Sequence, residues 1–442
     1  MVQFSLLQYY ARLGLRSLRR HPALTALMVL TLAIGVAASM STLTILHVMS
    51  GDPIPQKSER LFMPLLDNGP REGFNPLDRG YRDTQMSYRD ITALLAGAPA
   101  QRSSALYTVR AAIEQARADL PVLDSGGMAV NRDFFAMFDA PFLRGQAWSE
   151  SDDKLGADMV VLSAHLAEAL FGSADPVGRR VRMFGHDYQV TGVVKPWRVA
   201  PRFYALNSTG AFGAPEEFWI PFRSAIRHET PTKSGMSCYQ QRQPGWQGLL
   251  DSECTWIQMW FEMRTSAGRA ELQAYLDNYT SEQRKLGRFL RAVPNELHDV
   301  MQWLRHENVV GRDERLSAGL AVGFLLLCLV NTVGLLLAKF SARFAEVGVR
   351  RALGASRRDI FQQCLVEASV VGLAGGAAGL ALAYGALALI GMQSDEMRRA
   401  AQMDWQMLLG TVAMALAAAL LAGLLPTWRA CQVTPALQLK SQ

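Results

Sequence analysis

Pro22 to Met49, PALTALMVLTLAIGVAASMSTLTILHVM, decides the class of this chain, because no residue between His21 and Asp52 carries a full charge. As a helix this run extends ~40 Å, against a hydrocarbon core of ~30 Å. It is too long for the roughly 7–15 residue apolar core of a cleaved signal peptide and has no convincing A-x-A-like site, so it is expected to stay as a spanning helix. Three further apolar runs follow, Leu316 to Ala338, Ile360 to Met392 and Trp405 to Leu425, each able to cross a bilayer. Four spans place both termini on one side. A mean hydropathy of only +0.06 over 442 residues then means a mixture, with a polar stretch of some 260 residues between the first two spans. That stretch is long enough to bury its own core, expected as two subdomains.

The Lys/Arg bias orients the chain. Arg12, Arg16, Arg19 and Arg20 precede the first span with no acid among them, and positive residues stay in the cytoplasm. The loop between spans two and three carries Lys339, Arg343, Arg350, Arg351, Arg357 and Arg358 against Glu346 and Asp359, and is cytoplasmic by the same rule. The loop between spans three and four holds Asp395, Glu396 and Asp404 against Arg398 and Arg399, as an outer loop does. The expected plan is a cytoplasmic interfacial helix (1–21), span one (22–49), an extracytoplasmic domain with a stalk (50–315), span two (316–338), a cytoplasmic loop (339–359), span three (360–392), an outer loop (393–404), span four (405–425) and a cytoplasmic tail (426–442). The net charge of +6 sits beside the spans, where topology accounts for it, so nucleic acid is not an expected partner and membrane lipid is.

Phe4, Leu7, Tyr10, Leu13 and Leu18 share one face of the first segment, with the arginines around it, as in a helix lying in the interface. In the outer domain, Val181 to Val194 and Trp256 to Thr265 have alternating, β-rich character, while Leu162 to Gly172 and Ser266 to Leu286 have helical periodicity. The domain is therefore mixed α and β. Leu286, Phe289, Leu290, Val293, Leu297, Val300, Met301 and Leu304 are spaced as a helical stripe leading toward span two, with Pro294 kinking that stalk.

Catalytic signatures are missing. Gly51-Asp-Pro-Ile-Pro-Gln56-Lys57-Ser58 approaches a phosphate loop but has Gln56 where the second glycine belongs, and its two prolines lack N–H groups to cradle a phosphate. The seven histidines form no H-E-x-x-H and have no C-x-x-C companion; His186-Asp187 and His306-Glu307 fit solvated surfaces, so no metal site is expected. No G-x-S-x-G elbow marks a nucleophile. Cys328, Cys364 and Cys431 lie in or beside spans, leaving Cys238 and Cys254 outside, flanking a Gly/Pro/Gln-rich loop. An oxidising compartment permits a disulfide between them, two free thiols being the alternative.

Two patterns carry the functional reading. Gly372, Gly375, Gly376 and Gly379 in span three, with Thr31, Gly35 and Ser39 in span one, supply small-x-x-x-small spacings for close helix packing, within one subunit or across a dimer. Glu367 lies about two turns after Asp359, at the inner headgroup level, where an acid is either functional or snorkels to water. The cytoplasmic loop itself reads as a helix with Arg343, Glu346 and Arg350 on one face, a stop at Gly354, and a restart capped by Ser356 with Asp359 three residues on.

This loop, with its Glu346-Val-Gly348-Val-Arg350-Arg351-Ala-Leu-Gly354-Ala355 core and the glycine-rich span after it, resembles the FtsX-like permease signature of MacB-type ABC subunits. Val130 to Trp148 (VNRDFFAMFDAPFLRGQAW), Val160 to Gly172 and Asp175 to Val181 are similar, in order, to the MacB-type periplasmic core, and Pro426, Ala430 and Pro435-Ala-Leu437 to the tail. Gln146, where Arg is common, and the Cys238 to Cys254 segment depart from the pattern. The resemblance implies an integral membrane α-helical permease with four transmembrane helices and a large mixed α+β periplasmic domain between helices one and two, in a bacterial inner membrane. It further implies a dimer with a second copy or a paralogue, and a cytoplasmic ATPase received through Arg343, Glu346, Arg350, Arg351, Gly354, Ser356 and Arg357. ATP and Mg are then expected on that separate chain, with no cofactor or catalysis on this one. A periplasmic adaptor and an outer-membrane channel are further candidate partners, with efflux or lipoprotein release as the work done. A membrane sensor and a regulator of cell-wall enzymes are the competing readings, the latter calling for a much smaller outer domain.

Overall fold

The computed structural model describes residues 22–67, 69, 84–114, 122–197, 199–291 and 293–392, with isolated positions between 409 and 428. The expected interfacial helix (1–21), outer loop (393–404) and tail (426–442), and nearly all of the fourth span (405–425), lie outside the described residues. Two compact units emerge, one of residues 51–309 and one that holds the long apolar helices.

Helix α1 (Pro22–Ser50) opens the chain. The unit that follows runs β1 (Leu61–Leu65), α2 (Tyr88–Gly97), β2 (Arg102–Glu114), β3 (Leu123–Val130), α3 (Asp133–Met137), β4 (Phe142–Gly145), α4 (Glu150–Leu155), β5 (Met159–Ser163), α5 (Ala164–Phe171), β6 (Arg180–Met183), β7 (His186–Val194), β8 (Phe218–Pro221), α6 (Phe222–Arg227), α7 (Gly245–Leu250), β9 (Gln258–Glu262), α8 (Arg269–Lys285), β10 (Glu296–Asp299) and α9 (Val300–His306). The strands form one mixed sheet in the order β10-β1-β9-β2-β3-β8-β5-β7-β4, with β6 against β2 and β7.

That single sheet replaces the two subdomains expected from length. Strand β2 is the reason. Its 13 residues pair with β9 through Arg102 to Leu106, with β3 through Leu106 to Ile113 and with β6 at Ile113 and Glu114, so one strand carries hydrogen bonds to three others. Alternate residues of each strand serve opposite faces. Phe62, Tyr107, Val109, Ala129, Ile220 and Phe261 enter one core with Ile91 and Leu94 of α2 and Leu272 and Leu276 of α8. Their neighbours Leu61, Met63, Leu106, Met128, Trp219 and Trp260 enter the other with Phe134 and Phe135 of α3 and Trp303 of α9. Burying each such side chain contributes roughly 1.5–3 kcal/mol.

The continuous apolar stripe expected from Leu286 to Leu304 does not form. Helix α8 ends at Lys285, and Leu286 and Leu290 are exposed while Phe289, at φ 50°, turns inward. Pro294 lies in the non-helical connection. Leu297 belongs to β10, which zips onto β1 from Phe62 to Leu65 as the sheet's edge, and only Val300 to His306 is helical. Backbone pairing to β1 satisfies four residues that an isolated stalk would leave to water.

The second unit adds α10 (Arg312–Ser341), α11 (Phe344–Ala352) and α12 (Arg357–Gly391) to α1. Among the described residues three helices, α1, α10 and α12, are long and apolar enough to cross a membrane. Helices α10 and α12 begin three or four residues before the apolar runs at 316 and 360, because the charged residues there cap and extend a helix without breaking it.

Candidate functional site

The loop between α10 and α12 folds as a helix, a stop and a restart. Arg343 leads into α11, Gly354 takes φ 102°, a conformation that costs glycine nothing, and Ser356 caps α12. The cap is reciprocal: Asp359 N–H donates to Ser356 Oγ at 3.2 Å, and Ser356 N–H donates to Asp359 Oδ2 at 3.0 Å. A helix start so fixed sets where the next turns of α12 point.

Two turns on, Glu367 is buried. Its Oε1 lies 2.5 Å from Lys339 Nζ at the end of α10, and its Oε2 accepts from Arg343 Nη1 at 3.2 Å. Arg343 Nε also donates to Glu346 at 3.2 Å, Glu346 accepts from Arg350 Nη2 at 2.6 Å, and Arg350 Nη1 donates to Gln363 Oε1 of α12 at 2.9 Å. Each desolvated ion costs several kcal/mol, which the counter-charges offset only because the geometry closes. The chain of charges binds α11 to α12 at both ends and α12 to α10. Glu367 therefore does not snorkel; it anchors the network.

The seven loop residues thus divide. Arg343, Glu346 and Arg350 turn inward and tie elements together, while Gly354 and Ser356 shape the turn. Arg357 is exposed, as are Arg358, Val349 and Leu353, the last at 83 %. Arg351 belongs to α11, and its side chain is outside the described set.

The small residues meet within one chain. Helix α1 runs between the other two. A Cβ on Gly35 would stand 2.9 Å from Cys328 Cβ of α10, one on Gly375 would stand 2.8 Å from Leu32, and one on Gly379 would stand 3.0 Å from the Ala33 carbonyl oxygen. Ser39 Oγ donates to the Ala321 carbonyl at 2.8 Å, and Gly372 and Gly376 are buried on α12. Thr31 instead bonds its own helix at Leu27 O and faces outward.

In the other unit, Cys238 and Cys254 are joined by a disulfide. Lys57 of the near-phosphate loop is committed to Asp139 at 2.6 Å and to the Ala136 carbonyl at 2.5 Å. The histidines are less dispersed than their sequence neighbours suggest. His186 stacks on His228 with centroids 3.7 Å apart, and His306 faces His298 rather than bulk water. Asp158 gathers Ser224, Arg227 and His228. Sequence reading missed these groupings because they join residues up to 70 positions apart; only Glu296 and His298, two apart on a strand, left a local trace.

A set of long apolar helices with a charged helix–turn–helix loop, carrying a mixed-sheet domain in the chain between the first and second of them, defines a membrane protein with a large inserted domain. Comparison with known proteins makes the assignment specific. Residues 25–279 match the MacB-like periplasmic core domain and residues 318–435 the FtsX-like permease C-terminal domain, and the chain belongs to this family of ABC transporter permeases. It is 25% identical over 315 residues to the pyoverdine export ATP-binding/permease protein PvdT of Pseudomonas aeruginosa, covering 71% of this chain and 42% of that one. It is 25% identical over 329 residues to the macrolide export ATP-binding/permease protein MacB of Chromobacterium violaceum, covering 70% and 42%. The uncharacterized ABC transporter permease YknZ of Bacillus subtilis is 23% identical over 299 residues, covering 66% and 64%. The chain thus spans less than half the length of the first two. Among solved structures, the periplasmic region of MacB from Actinobacillus actinomycetemcomitans aligns at a TM-score of 0.35 and 12% identity, covering 56% of this chain and 92% of that one.

Proposed function

We propose that this chain is the transmembrane subunit of an inner-membrane ABC machine, coupling ATP hydrolysis on a separate cytoplasmic chain to conformational work in the periplasm. Four spans, both termini inside, and a dimer of two such chains complete the arrangement. The work is export, the kind for which PvdT and MacB are named, or lipoprotein release. One observation carries this reading: the Lys339–Glu367–Arg343–Glu346–Arg350 chain of charges locks the cytoplasmic helix α11 onto α10 and α12. A displacement applied to α11 is passed to the spans rather than absorbed by a loose loop. Exposed Val349 and Leu353, flanked by Arg357 and Arg358, form the docking face for the ATPase. ATP and Mg belong to that partner.

The test is enzymatic. The purified chain, reconstituted in lipid, hydrolyses no ATP, and hydrolysis appears when the co-purifying ATPase is added back. Turnover by this chain alone, surviving removal of contaminants, overturns the reading.

A further inference from the structure

Glu296 and His298 stand two residues apart on β10, and so project from the same side of the strand. Helix α9 folds across that side because Val300, Trp303 and Leu304 bury themselves in the second core. Its last residue, His306, is thereby brought over them. The His298 and His306 ring centroids are 4.9 Å apart, Trp303 stacks on His306 at 5.7 Å, and His298 Nε2 is 3.0 Å from Glu296 Oε2. One ligand atom from each of the three lies within 4.8 Å of the others, a grouping of metal-ligand type among the described residues.

We propose that Glu296, His298 and His306 bind a divalent transition-metal ion of zinc's character. Two imidazoles and one carboxylate form a borderline nitrogen and oxygen set, suited to Zn²⁺ and not to Ca²⁺ or Mg²⁺, which take oxygen ligands. Ligands ~2.0–2.1 Å from a tetrahedral ion stand roughly 3.4 Å apart, so three ligand atoms already within 4.8 Å of one another need close in only by about 1–1.5 Å. All three are half-buried, which leaves the ion a path in and removes most competing water. Arg269, the neighbouring cation, spends its guanidinium on the Leu297 carbonyl at 2.6 Å and on the Phe62 ring. Both belong to the first core or its edge, whereas the histidines lie on the second side.

Such an ion clips α9 to β10. Helix α9 ends at His306, and the membrane helix α10 starts at Arg312. The clip would therefore stiffen the last element the chain forms before entering the bilayer. Three protein ligands leave one coordination position for water or for a donor from outside.

The full chain, purified with a histidine-free tag and stripped by chelator, is titrated with zinc chloride, and bound metal is counted by mass spectrometry. One zinc per chain is expected, with His298→Gln, His306→Gln and Glu296→Gln each weakening binding by at least the roughly 10–100-fold that loss of a mere outer-shell partner brings. His165→Gln, on an exposed helix surface, leaves it unchanged. No stoichiometric zinc, or zinc that survives the histidine substitutions because thiols such as Cys328 hold it, overturns the proposal. Should the histidine variants fail to fold, the milder Glu296→Gln decides: zinc affinity equal to wild type in a folded Glu296→Gln protein also overturns it.

Discussion

Lys339 and Glu367 face one another with 2.5 Å between Nζ and Oε1, and their side chains are 0 % and 2 % exposed. An ion pair so completely removed from water is stable only as a pair. Glu367→Gln leaves Lys339 charged and buried, at a cost of about 3–5 kcal/mol, whereas the double change Lys339→Met with Glu367→Met recovers most of that loss. Arg343 keeps Glu346 in both variants. Thermal unfolding in detergent measures the cycle. A Glu367→Gln protein as stable as wild type would show that the pair holds nothing together.

The close approach of α12 to α1 gives a second expectation. Gly379→Leu forces a side chain against the Ala33 carbonyl and Val36, and overpacking of this kind costs typically 1–3 kcal/mol or more. Gly385→Leu, on the same helix with nothing within 4 Å of its Cβ position, is harmless. Equal stabilities for the two variants would contradict the interface.

The Cys238–Cys254 bridge closes a loop of sequence separation 16. In the chain-entropy account, closing a loop of this size contributes about 3 kcal/mol. Protein prepared without reductant should therefore resist alkylation at both cysteines, and Cys238→Ser should lower domain stability by that order. Two freely alkylated thiols in native protein would refute the bridge.

Asp158 supplies a pH dependence. Burial alone raises its pKa, but hydrogen bonds from Ser224 and His228, with Arg227 nearby, overcome this and hold the carboxyl below its ordinary value. A depressed folded pKa means stability that is present above the unfolded value near ~3.9 and is lost as pH falls through the folded one. Asp158→Asn should thus destabilise the outer domain at neutral pH, and the gap to wild type should narrow in acid. A gap that does not change with pH would show that this carboxylate's charge contributes nothing.

Much of this was legible from residues alone, and the limits have physical causes. The long apolar helices α1, α10 and α12 were readable because uncharged runs of such length have few other uses, and the turn at Gly354 and cap at Ser356 because their chemistry is local. The inward roles of Arg343 and Arg350 were not, since periodicity gives a helix face but not what covers it. The stripe from Leu286 to Leu304 misled for the same reason: pairing of β10 with β1, 230 residues earlier in the chain, overrode its helical spacing. The grouping of Glu296, His298 and His306 needed the path of α9.

The central claim is that α11 receives the ATPase and passes its motion to the spans. Its most direct measurement compares two variants of the full chain, purified from membranes with whatever ABC-type ATPase accompanies it. Leu353→Asp, on the exposed docking face, should abolish co-purification. Arg350→Glu, which repels Glu346 and loses Gln363 inside the network, should retain a substantial share of the ATPase but lose hydrolysis coupled to this chain. Arg12→Glu should change neither. If Leu353→Asp and Arg350→Glu both keep the wild-type ATPase ratio and full coupled hydrolysis, the loop is not the transmission point and the account fails.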